Sequence, residues 1–463
     1  MEILEATEGE LLFQGLKTTH SSISTDSRTI KNNSIFVALK GPNHNAHLHL
    51  EEAVQKGATC LLASEKEIPK KALSFIKKSG AALIFVDDTL RALAKLARHH
   101  RNRARARVVA ITGSNGKTST RALTEMVLKA AHSVHSTQGN FNNEVGLPLT
   151  LFRLQGDEDY SILELGMNAP GEMTRLGHMA APDIAVITCI GASHLEGLTD
   201  LDGVAKAKGE LLDTLNKGAV VILNGDDPYL VDLAEKKGIS PIFYGFSPQA
   251  HVRATNLSWK DGAQHFTLWA GEKKTDASLP LAGKFMVQNA LAASAVGLEA
   301  GLDLDTIARA LSRATTEKGR FTICQSQSGL KVIDDTYNAN PLSVAAALET
   351  LAQIRGEESA AAVFGDMLEL GDNAADYHRE IGEKAALSGI CRLYLTGAFA
   401  KEIQKGALKA GMDPSAITLD DKRALTRRIC TETTPGEWVL VKGSRSMGME
   451  QIVFDLISGQ STS

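Results

Sequence analysis

The sequence is poor in aromatic residues, in cysteines and in excess charge of either sign. Phe, Trp and Tyr make up 5% of the 463 residues, and the formal net charge is −4. This balance provides no general basic field and argues against nucleic acid as a partner. The five cysteines lie far apart and include no C-x-x-C pair. We therefore expect free, mostly buried thiols and neither a disulfide framework nor a structural zinc site.

Long apolar runs are also missing. No uninterrupted apolar stretch reaches about 18 residues, the length that a membrane-spanning helix needs. The N-terminal residues lack the basic-then-apolar order of a signal peptide. We expect no membrane span and a cytoplasmic location. With 43% hydrophobic residues, a chain of this length can form several domains with buried cores.

The most informative segment is 108–120, where a β-branched run breaks into a glycine turn and then into a helix-forming stretch. Gly113 and Gly116 let backbone N–H groups turn toward an anion at the start of the helix. The pattern T-G-x-x-G-K-T is a shortened P-loop, because an isoleucine stands where the usual pattern has its first glycine. Lys117 would reach the β- and γ-phosphates of a nucleotide, and the Thr118 hydroxyl would bind Mg²⁺. The alternative is a glycine-rich turn without a ligand.

Alternating strand and helix patterns along the chain predict parallel sheets covered by helices on both faces. We predict an α/β fold of three domains: a small N-terminal α/β domain (1–105), a central P-loop domain with a parallel sheet (106–316) and a C-terminal Rossmann-like domain (317–463). The arginine-rich stretch 101–107 is either a phosphate-facing patch or a solvated boundary segment, and we favour the second. The predicted strands are 34–39, 59–63 and 81–86 in the first domain, 108–112, 161–165, 184–190 and 219–224 in the second, and 331–334, 361–364, 392–395 and 438–441 in the third.

Polar residues occur where the predicted strands of the central domain end. Glu164 stands among apolar neighbours, where a carboxylate is costly without a cation. A Mg²⁺ ligand and a structural Glu paired to an arginine are both possible. His194 follows a strand and a glycine turn, and it is either a metal ligand or a core histidine. Taken alone, its pattern favours the core histidine.

Two lysines, Lys206 and Lys208, lie two residues apart on a predicted helix, so at most one of them faces a site. Lys208 is flanked by Gly209, Leu211 and Leu212, and such surroundings favour its neutral form. A neutral lysine can react with CO₂ to give a carbamate, which is an anionic metal ligand. From composition alone, an exposed helix lysine is the simpler interpretation.

Arg320 lies near the boundary between the second and third domains. An arginine there can meet a γ-phosphate when the two domains close on each other. We therefore expect domain closure.

With these residues laid out, nearly the whole chain resembles the ATP-dependent Mur ligases of peptidoglycan synthesis. The G-N-x-N-N-E run at 139–144 and the D-D-x-Y-N-A-N-P run at 334–341 are typical of the member that joins D-alanyl-D-alanine to UDP-N-acetylmuramoyl-tripeptide. The segments that carry the resemblance are 112–118, 139–150, 164–168, 194–196, 207–210, 288–293 and 334–341.

The resemblance implies a cytoplasmic, monomeric ATP-dependent amide-bond ligase of cell-wall synthesis. The first domain would bind the UDP-muramoyl-peptide, the second ATP, and the third would close on ATP and D-alanyl-D-alanine. The residues expected to carry the reaction are Lys117, Glu164, His194, Lys208 and Arg320.

The resemblance also implies a ligand set. ATP would bind Gly113, Ser114, Asn115, Gly116, Lys117, Thr118, Ser119, Asn289, Arg320 and Asp335, with adenine near Asn289 and the ribose or the hinge at Asp335. One Mg²⁺ would bind Thr118 and Glu164, and a second would bind His194 and a carbamylated Lys208. The substrates would contact Ser27, Arg28, Asn140, Asn142, Asn143, Tyr337 and Asn338.

Some alternatives stay open. Other ligases of the superfamily, such as folylpolyglutamate synthase or the ligase that adds the third amino acid, are disfavoured by the G-N-x-N-N-E run. A P-loop motor or switch protein would hydrolyse ATP without an amine acceptor. Whether the third peptide residue is lysine or diaminopimelate is undecided.

Overall fold

The computed structural model describes residues 2–459. Three main sheets follow one another along the chain, with strands within residues 10–85, 107–279 and 322–442, and the protein has the predicted α/β architecture of three domains. The domain boundaries themselves stay predictions.

The first sheet has the order β1-β7-β6-β3-β2 and is parallel except for β1. Its central strands are continuously apolar because both faces are covered. Phe36 and Leu61 point into one core and Val37 and Leu62 into the other. The strands are β1 (Glu10–Phe13), β2 (Ser22–Ser24), β3 (Ser34–Val37), the hairpin β4 (Lys40–Gly41) and β5 (His44–Asn45), β6 (Ala58–Ala63) and β7 (Ala82–Phe85), with helices α1 (Glu2–Thr7), α2 (Leu50–Gln55), α3 (Lys70–Ser79) and α4 (Thr89–Arg103).

The second sheet has nine strands in the order β16-β15-β14-β13-β12-β11-β8-β10-β9, parallel from β9 to β14. The strands are β8 (Arg107–Thr112), β9 (Val134–Ser136), β10 (Tyr160–Glu164), β11 (Ile184–Ile187), β12 (Val220–Asn224), β13 (Ile242–Gly245), β14 (Val252–Lys260), β15 (Ala263–Ala270) and β16 (Lys273–Leu279). The helices are α5 (Lys117–Leu128), α6 (Gly146–Leu151), α7 (Glu172–Ala180), α8 (Leu195–Leu198), α9 (Leu201–Gly209), α10 (Pro228–Lys237), α11 (Lys284–Glu299) and α12 (Leu304–Leu311).

Strands β14, β15 and β16, which pair antiparallel with one another, extend this sheet and were not among the predicted strands. In β14 and β15, buried residues such as Val252, Ala254, Phe266 and Leu268 alternate with more exposed ones. This alternation is typical of an antiparallel sheet that packs on one face only. Strands β14 and β15 therefore lack the continuous apolar run that predicts a parallel strand.

The third sheet has the order β17-β18-β22-β19-β20-β21 and is parallel except for β17. Helices cover both faces, as in the predicted Rossmann-like arrangement. The strands are β17 (Thr322–Gln325), β18 (Lys331–Asp335), β19 (Ala360–Phe364), β20 (Arg392–Leu395), β21 (Ile417–Leu419) and β22 (Trp438–Lys442), with helices α13 (Pro341–Arg355), α14 (Ala374–Leu387), α15 (Ala400–Lys409), α16 (Lys422–Glu432) and α17 (Glu450–Ser458).

Two expectations about single side chains need correction. Arg101 does not lie in a solvated segment: it is buried, donates to the carbonyls of Ala180 and Ala181, and pairs with Asp183. The cysteines are free but not mostly buried, since only Cys60 is buried whereas Cys391 and Cys430 are exposed.

Within residues 2–459, no helix combines the length and the apolar character needed to cross a membrane.

Candidate active site

The site lies where three neighbouring parallel strands end. Strands β10, β8 and β11 are adjacent in the sheet, so their carboxyl ends meet at one edge. Glu164 ends β10, the P-loop follows β8, and the loop to His194 follows β11. The order of the strands thus gathers side chains that are far apart in the sequence.

The P-loop can take this path only with glycine at two positions. Gly113 has φ 146°, and a Cβ there would lie 1.9 Å from Thr188 Oγ1. Gly116 has φ 81°, and a Cβ there would lie 2.4 Å from Asn289 Oδ1. Helix α5 begins directly after Gly116, so its first N–H groups face the cleft as an anion site requires.

The Lys117 ammonium lies within the P-loop and donates to the Gly113 carbonyl at 2.7 Å. Burial lowers the pKa of Lys117, and the Glu164 carboxylate opposes that shift. A phosphate in the loop would stabilise the ammonium further, because a charge-assisted contact favours the protonated form.

The P-loop is fastened to the loop that carries His194. Ser114 Oγ donates to the Gly191 carbonyl and accepts from the Gly191 N–H, both at 2.9 Å. Thr188 Oγ1 donates to the Asn115 carbonyl at 2.5 Å. These bonds hold the phosphate site and His194 in a fixed relation.

Glu164 is 3% exposed and has one carboxylate oxygen without a partner among the described residues. Its other oxygen accepts from Asn142 Nδ2 at 2.8 Å. A buried carboxylate oxygen without a donor is costly, so a cation is the partner that this atom requires. No arginine pairs with Glu164 among the described residues, which removes the structural alternative.

Lys208 is 1% exposed, whereas Lys206 is exposed, so the helix turns only Lys208 inward. Burial lowers the pKa of Lys208 to about 7, and the nearby charge of Lys117 contributes in the same direction. The simpler interpretation of Lys208 as an exposed helix lysine is wrong. At neutral pH a large fraction of this amine is uncharged, which is the form that reacts with CO₂.

The third domain closes the site from the opposite side. Arg320 donates to Thr118 Oγ1 at 3.1 Å, and its guanidinium lies 3.8 Å from the centre of the Tyr337 ring. Asn115 and Asn340 exchange two amide hydrogen bonds of 3.0 and 2.9 Å. Together the second and third domains enclose a cleft of about 650 Å³.

Asp335 and Lys442 form a buried ion pair of 2.5 Å at the floor of this cleft. Burial raises the pKa of Asp335, and the Lys442 ammonium opposes the shift. Lys442 also donates to the Asn338 carbonyl at 2.9 Å and was not among the predicted site residues. Its partner lies 107 residues away, so only the parallel pairing of β18 with β22 reveals the contact.

Most of the predicted residues come together in the cleft. Those that line it are Ser114, Asn115, Gly116, Lys117, Thr118, Ser119, Asn142, Asn143, Glu164, His194, Asn289, Arg320, Asp335, Tyr337 and Asn338. Gly113 and Lys208 are not among the lining residues, although Gly113 bonds to Lys117 and the Lys208 charge acts on His194.

Three further predicted residues do not line the cleft. Asn140 is exposed on the loop before Asn142. Ser27 and Arg28 belong to the first domain, where Ser27 donates to Glu52 at 3.1 Å and Arg28 pairs with Asp26 at 2.7 Å. Their assignment to the UDP substrate stays a prediction.

The oxygen donors beside the P-loop fit Mg²⁺. Within residues 2–459, no group of three or more His, Cys, Asp or Glu side chains has metal-binding geometry. A hydroxyl at Thr118 and the unpartnered oxygen of Glu164 flank the phosphate site, and Mg²⁺ prefers such oxygens together with phosphate and water.

Family descriptions match most of the chain. They are the Mur ligase family, catalytic domain (residues 19–101), the Mur ligase middle domain (111–297) and the Mur ligase, glutamate ligase domain (319–445).

Similar whole proteins point the same way. A Bacillus subtilis protein named UDP-N-acetylmuramoyl-tripeptide–D-alanyl-D-alanine ligase is 34% identical over 95% of this chain and 94% of its own length. The crystal structure of MurF from Acinetobacter baumannii superposes with a TM-score of 0.89, at 31% identity and 98% coverage of both chains. MurF ligase of Thermotoga maritima, solved in complex with ADP, has a TM-score of 0.83 and 26% identity, covering 94% of this chain and 96% of its own. The chain belongs to the Mur ligase family.

Proposed function

We propose that this protein is the ATP-dependent ligase that joins D-alanyl-D-alanine to UDP-N-acetylmuramoyl-tripeptide. The observation that carries the proposal is the cleft in which a P-loop, an unpartnered buried carboxylate and an arginine from another domain meet. The names of the similar proteins and the two specific sequence runs support the choice of substrates.

In the first step the terminal carboxylate of the tripeptide attacks the γ-phosphorus of ATP. A new O–P bond forms, the bond to the β-phosphate oxygen breaks, and ADP leaves. Lys117 and Arg320 neutralise phosphate charge, without which two anions could not approach each other. The bonds from Ser114 and Thr188 keep the P-loop in place during the attack.

In the second step the amine of D-alanyl-D-alanine attacks the acyl phosphate. A C–N bond forms through a tetrahedral intermediate, the C–O bond breaks so that phosphate leaves with its electron pair, and the proton lost by the amine passes to solvent. No side chain of the protein has to act as a covalent nucleophile, so positioning and charge neutralisation carry the catalysis.

We assign two Mg²⁺ ions to the site, which supply charge neutralisation at the phosphates when bound. Thr118 and Glu164 would hold one ion, and His194 and a carbamate on Lys208 the other. The burial of Lys208 supports the carbamate, because burial lowers the pKa of the amine to about 7 and so favours the neutral form that reacts with CO₂.

We also propose that residues 1–105 bind the UDP-muramoyl-peptide, that residues 106–316 bind ATP, and that residues 317–463 close on ATP and D-alanyl-D-alanine. A cytoplasmic monomer is consistent with such substrates.

The test measures phosphate release and the mass of the product with ATP, Mg²⁺ and each of two UDP-tripeptides, ending in lysine or in diaminopimelate. Phosphate release should depend on both D-alanyl-D-alanine and a tripeptide, and one tripeptide should be preferred. Equal ATP hydrolysis without the dipeptide would contradict the proposal and favour a motor or switch protein.

A further inference from the structure

The imidazole of His194 is in contact with a carboxylate from another domain. His194 Nδ1 lies 2.5 Å from Glu369 Oε2. The approach lies off the direction of the ring N–H, so the two groups are in close polar contact but their hydrogen bond is not aligned in this structure. The His194 side chain is 25% exposed and that of Glu369 is 55% exposed.

The main chain reinforces this contact. The carbonyl oxygen of Glu369 accepts from the Leu195 N–H at 2.9 Å. His194 and Glu369 both have a left-handed backbone, with φ of 55° and 63°. Non-glycine residues adopt this conformation only where the surroundings impose it. Two turns from different domains are therefore held against each other at this point.

The segment that carries Glu369 is anchored within the third domain. His378 Nε2 accepts from the Met367 N–H at 2.9 Å, and Ser444 Oγ accepts from the Leu368 N–H at 2.8 Å. The His378 ring is fully buried and stacks on Phe399 at 4.4 Å. Both preceding N–H groups are bound within the third domain, so the segment that leads to Glu369 is anchored there.

We infer that Glu369 is a positioning residue, which fixes the ring of His194 for metal binding only when the third domain is docked. A metal-binding histidine uses one ring nitrogen for the ion, and a carboxylate at the other nitrogen sets its tautomer and orientation. With Nδ1 engaged by Glu369, Nε2 is the nitrogen left for the metal. The inference rests on the proposed function of His194 and adds a link between domain closure and assembly of the metal site.

The test uses full-length protein and two readouts besides activity. The ¹⁵N signals of the His194 ring, assigned with His194→Gln, report its tautomer in metal-free protein. Mn²⁺ binding, measured by electron paramagnetic resonance with a nonhydrolysable ATP analogue, reports the metal site. The variants are Glu369→Gln, which keeps the shape and removes the charge, Glu369→Asp as the conservative replacement, and Asp372→Asn. Asp372 is an exposed carboxylate three positions further along the same segment and provides the matched control.

Glu369→Gln should turn a single Nδ1–H tautomer into a mixture and weaken one Mn²⁺ site by about tenfold, as loss of a carboxylate behind a metal-binding histidine does. Glu369→Asp should restore part of the affinity, and Asp372→Asn should leave both readouts as in the parent. An unchanged tautomer and Mn²⁺ affinity in Glu369→Gln would overturn the inference, as would an equal loss in Asp372→Asn. If His194→Gln itself leaves Mn²⁺ binding intact, the proposed metal site fails instead.

Discussion

Lys117 and Lys208 are both buried lysines at one site, but their surroundings differ. The carboxylate of Glu164 stabilises the charge of Lys117, whereas no carboxylate among the described residues acts on Lys208. Lys117 is therefore suited to hold a phosphate as a cation. Lys208 is suited to react as a neutral amine.

Replacement of Lys117 by alanine should lower kcat/KM by about 100-fold or more, since a preorganised charge that stabilises the transition state is lost. Lys129→Ala removes an exposed lysine that follows the same helix and serves as the control. Both variants should unfold at the parent's midpoint. Turnover of Lys117→Ala within about tenfold of the parent would contradict the assigned role.

Carbamylation of Lys208 should depend on pH in a defined direction. The pKa of Lys208 is lowered to about 7, so the amine becomes protonated as the pH falls through that value and neutral as it rises above it. A carbamate signal in ¹³C spectra with labelled bicarbonate should therefore be strong above pH 7 and fade below it.

Lys208→Ala should be nearly inactive and partly rescued by a short carboxylic acid that fills the vacated ligand position. Lys206→Ala is the control, because Lys206 is exposed. Rescue of Lys206→Ala and not of Lys208→Ala would mean that the ligand had been assigned to the wrong lysine.

At the scale of single residues, the motifs predicted which side chains come together, whereas the chemical roles of those side chains stay predictions. The P-loop follows one predicted strand and Glu164 lies at the end of another, so their clustering follows from parallel pairing. Lys442 and Glu369 were missed, because their roles depend on contacts between elements that are distant in the sequence.

The longer parallel strands, such as β8, β10 and β11, were predicted within a few residues, because burial on both faces leaves a continuous apolar run. The short parallel strands β2, β9, β13 and β21 were not predicted. In the predicted strand 184–190, only Ile184–Ile187 is strand, because the chain leaves the sheet to bring Thr188 beside the P-loop. The loop after Ile187 is itself largely apolar, so composition alone does not show where β11 ends.

The turn before α5 gives an element-scale prediction. Gly116 has a left-handed backbone, so Gly116→Ala should lower the free energy of unfolding by about 1–2 kcal/mol. The added Cβ would lie 2.4 Å from Asn289 Oδ1, so the substitution should also displace the Asn289 side chain. Gly218 is the matched control, with a φ of 80° and nothing within 4 Å of a Cβ. Both variants should lose stability in urea unfolding, and only Gly116→Ala should lose nucleotide affinity. Equal nucleotide binding by the two would contradict the role of this turn.

For the whole molecule, the contacts of Arg320, Asn340 and Glu369 with the second domain indicate that closure completes the site. Such contacts are lost when the domains separate, so ligands that bridge them shift the population toward the closed form. The arrangement of the domains was expected from the position of Arg320, but the interacting pairs were not.

Small-angle scattering should show a smaller radius of gyration with an ATP analogue and UDP-tripeptide than without them. Asn340→Asp removes one of the two hydrogen bonds to the Asn115 side chain, while a side-chain oxygen remains to cap α13. The variant should therefore require a higher ligand concentration for closure, with an unchanged free energy of unfolding. An unchanged radius in active enzyme would mean that the free protein is already closed or that the third domain does not serve the nucleotide.

Oxygen transfer tests the central claim most directly. The tripeptide is labelled with ¹⁸O in its terminal carboxylate and incubated with ATP, Mg²⁺ and D-alanyl-D-alanine. If an acyl phosphate forms in the cleft, one ¹⁸O must leave with phosphate for each amide bond made. Unlabelled phosphate released together with ligated product would contradict the account.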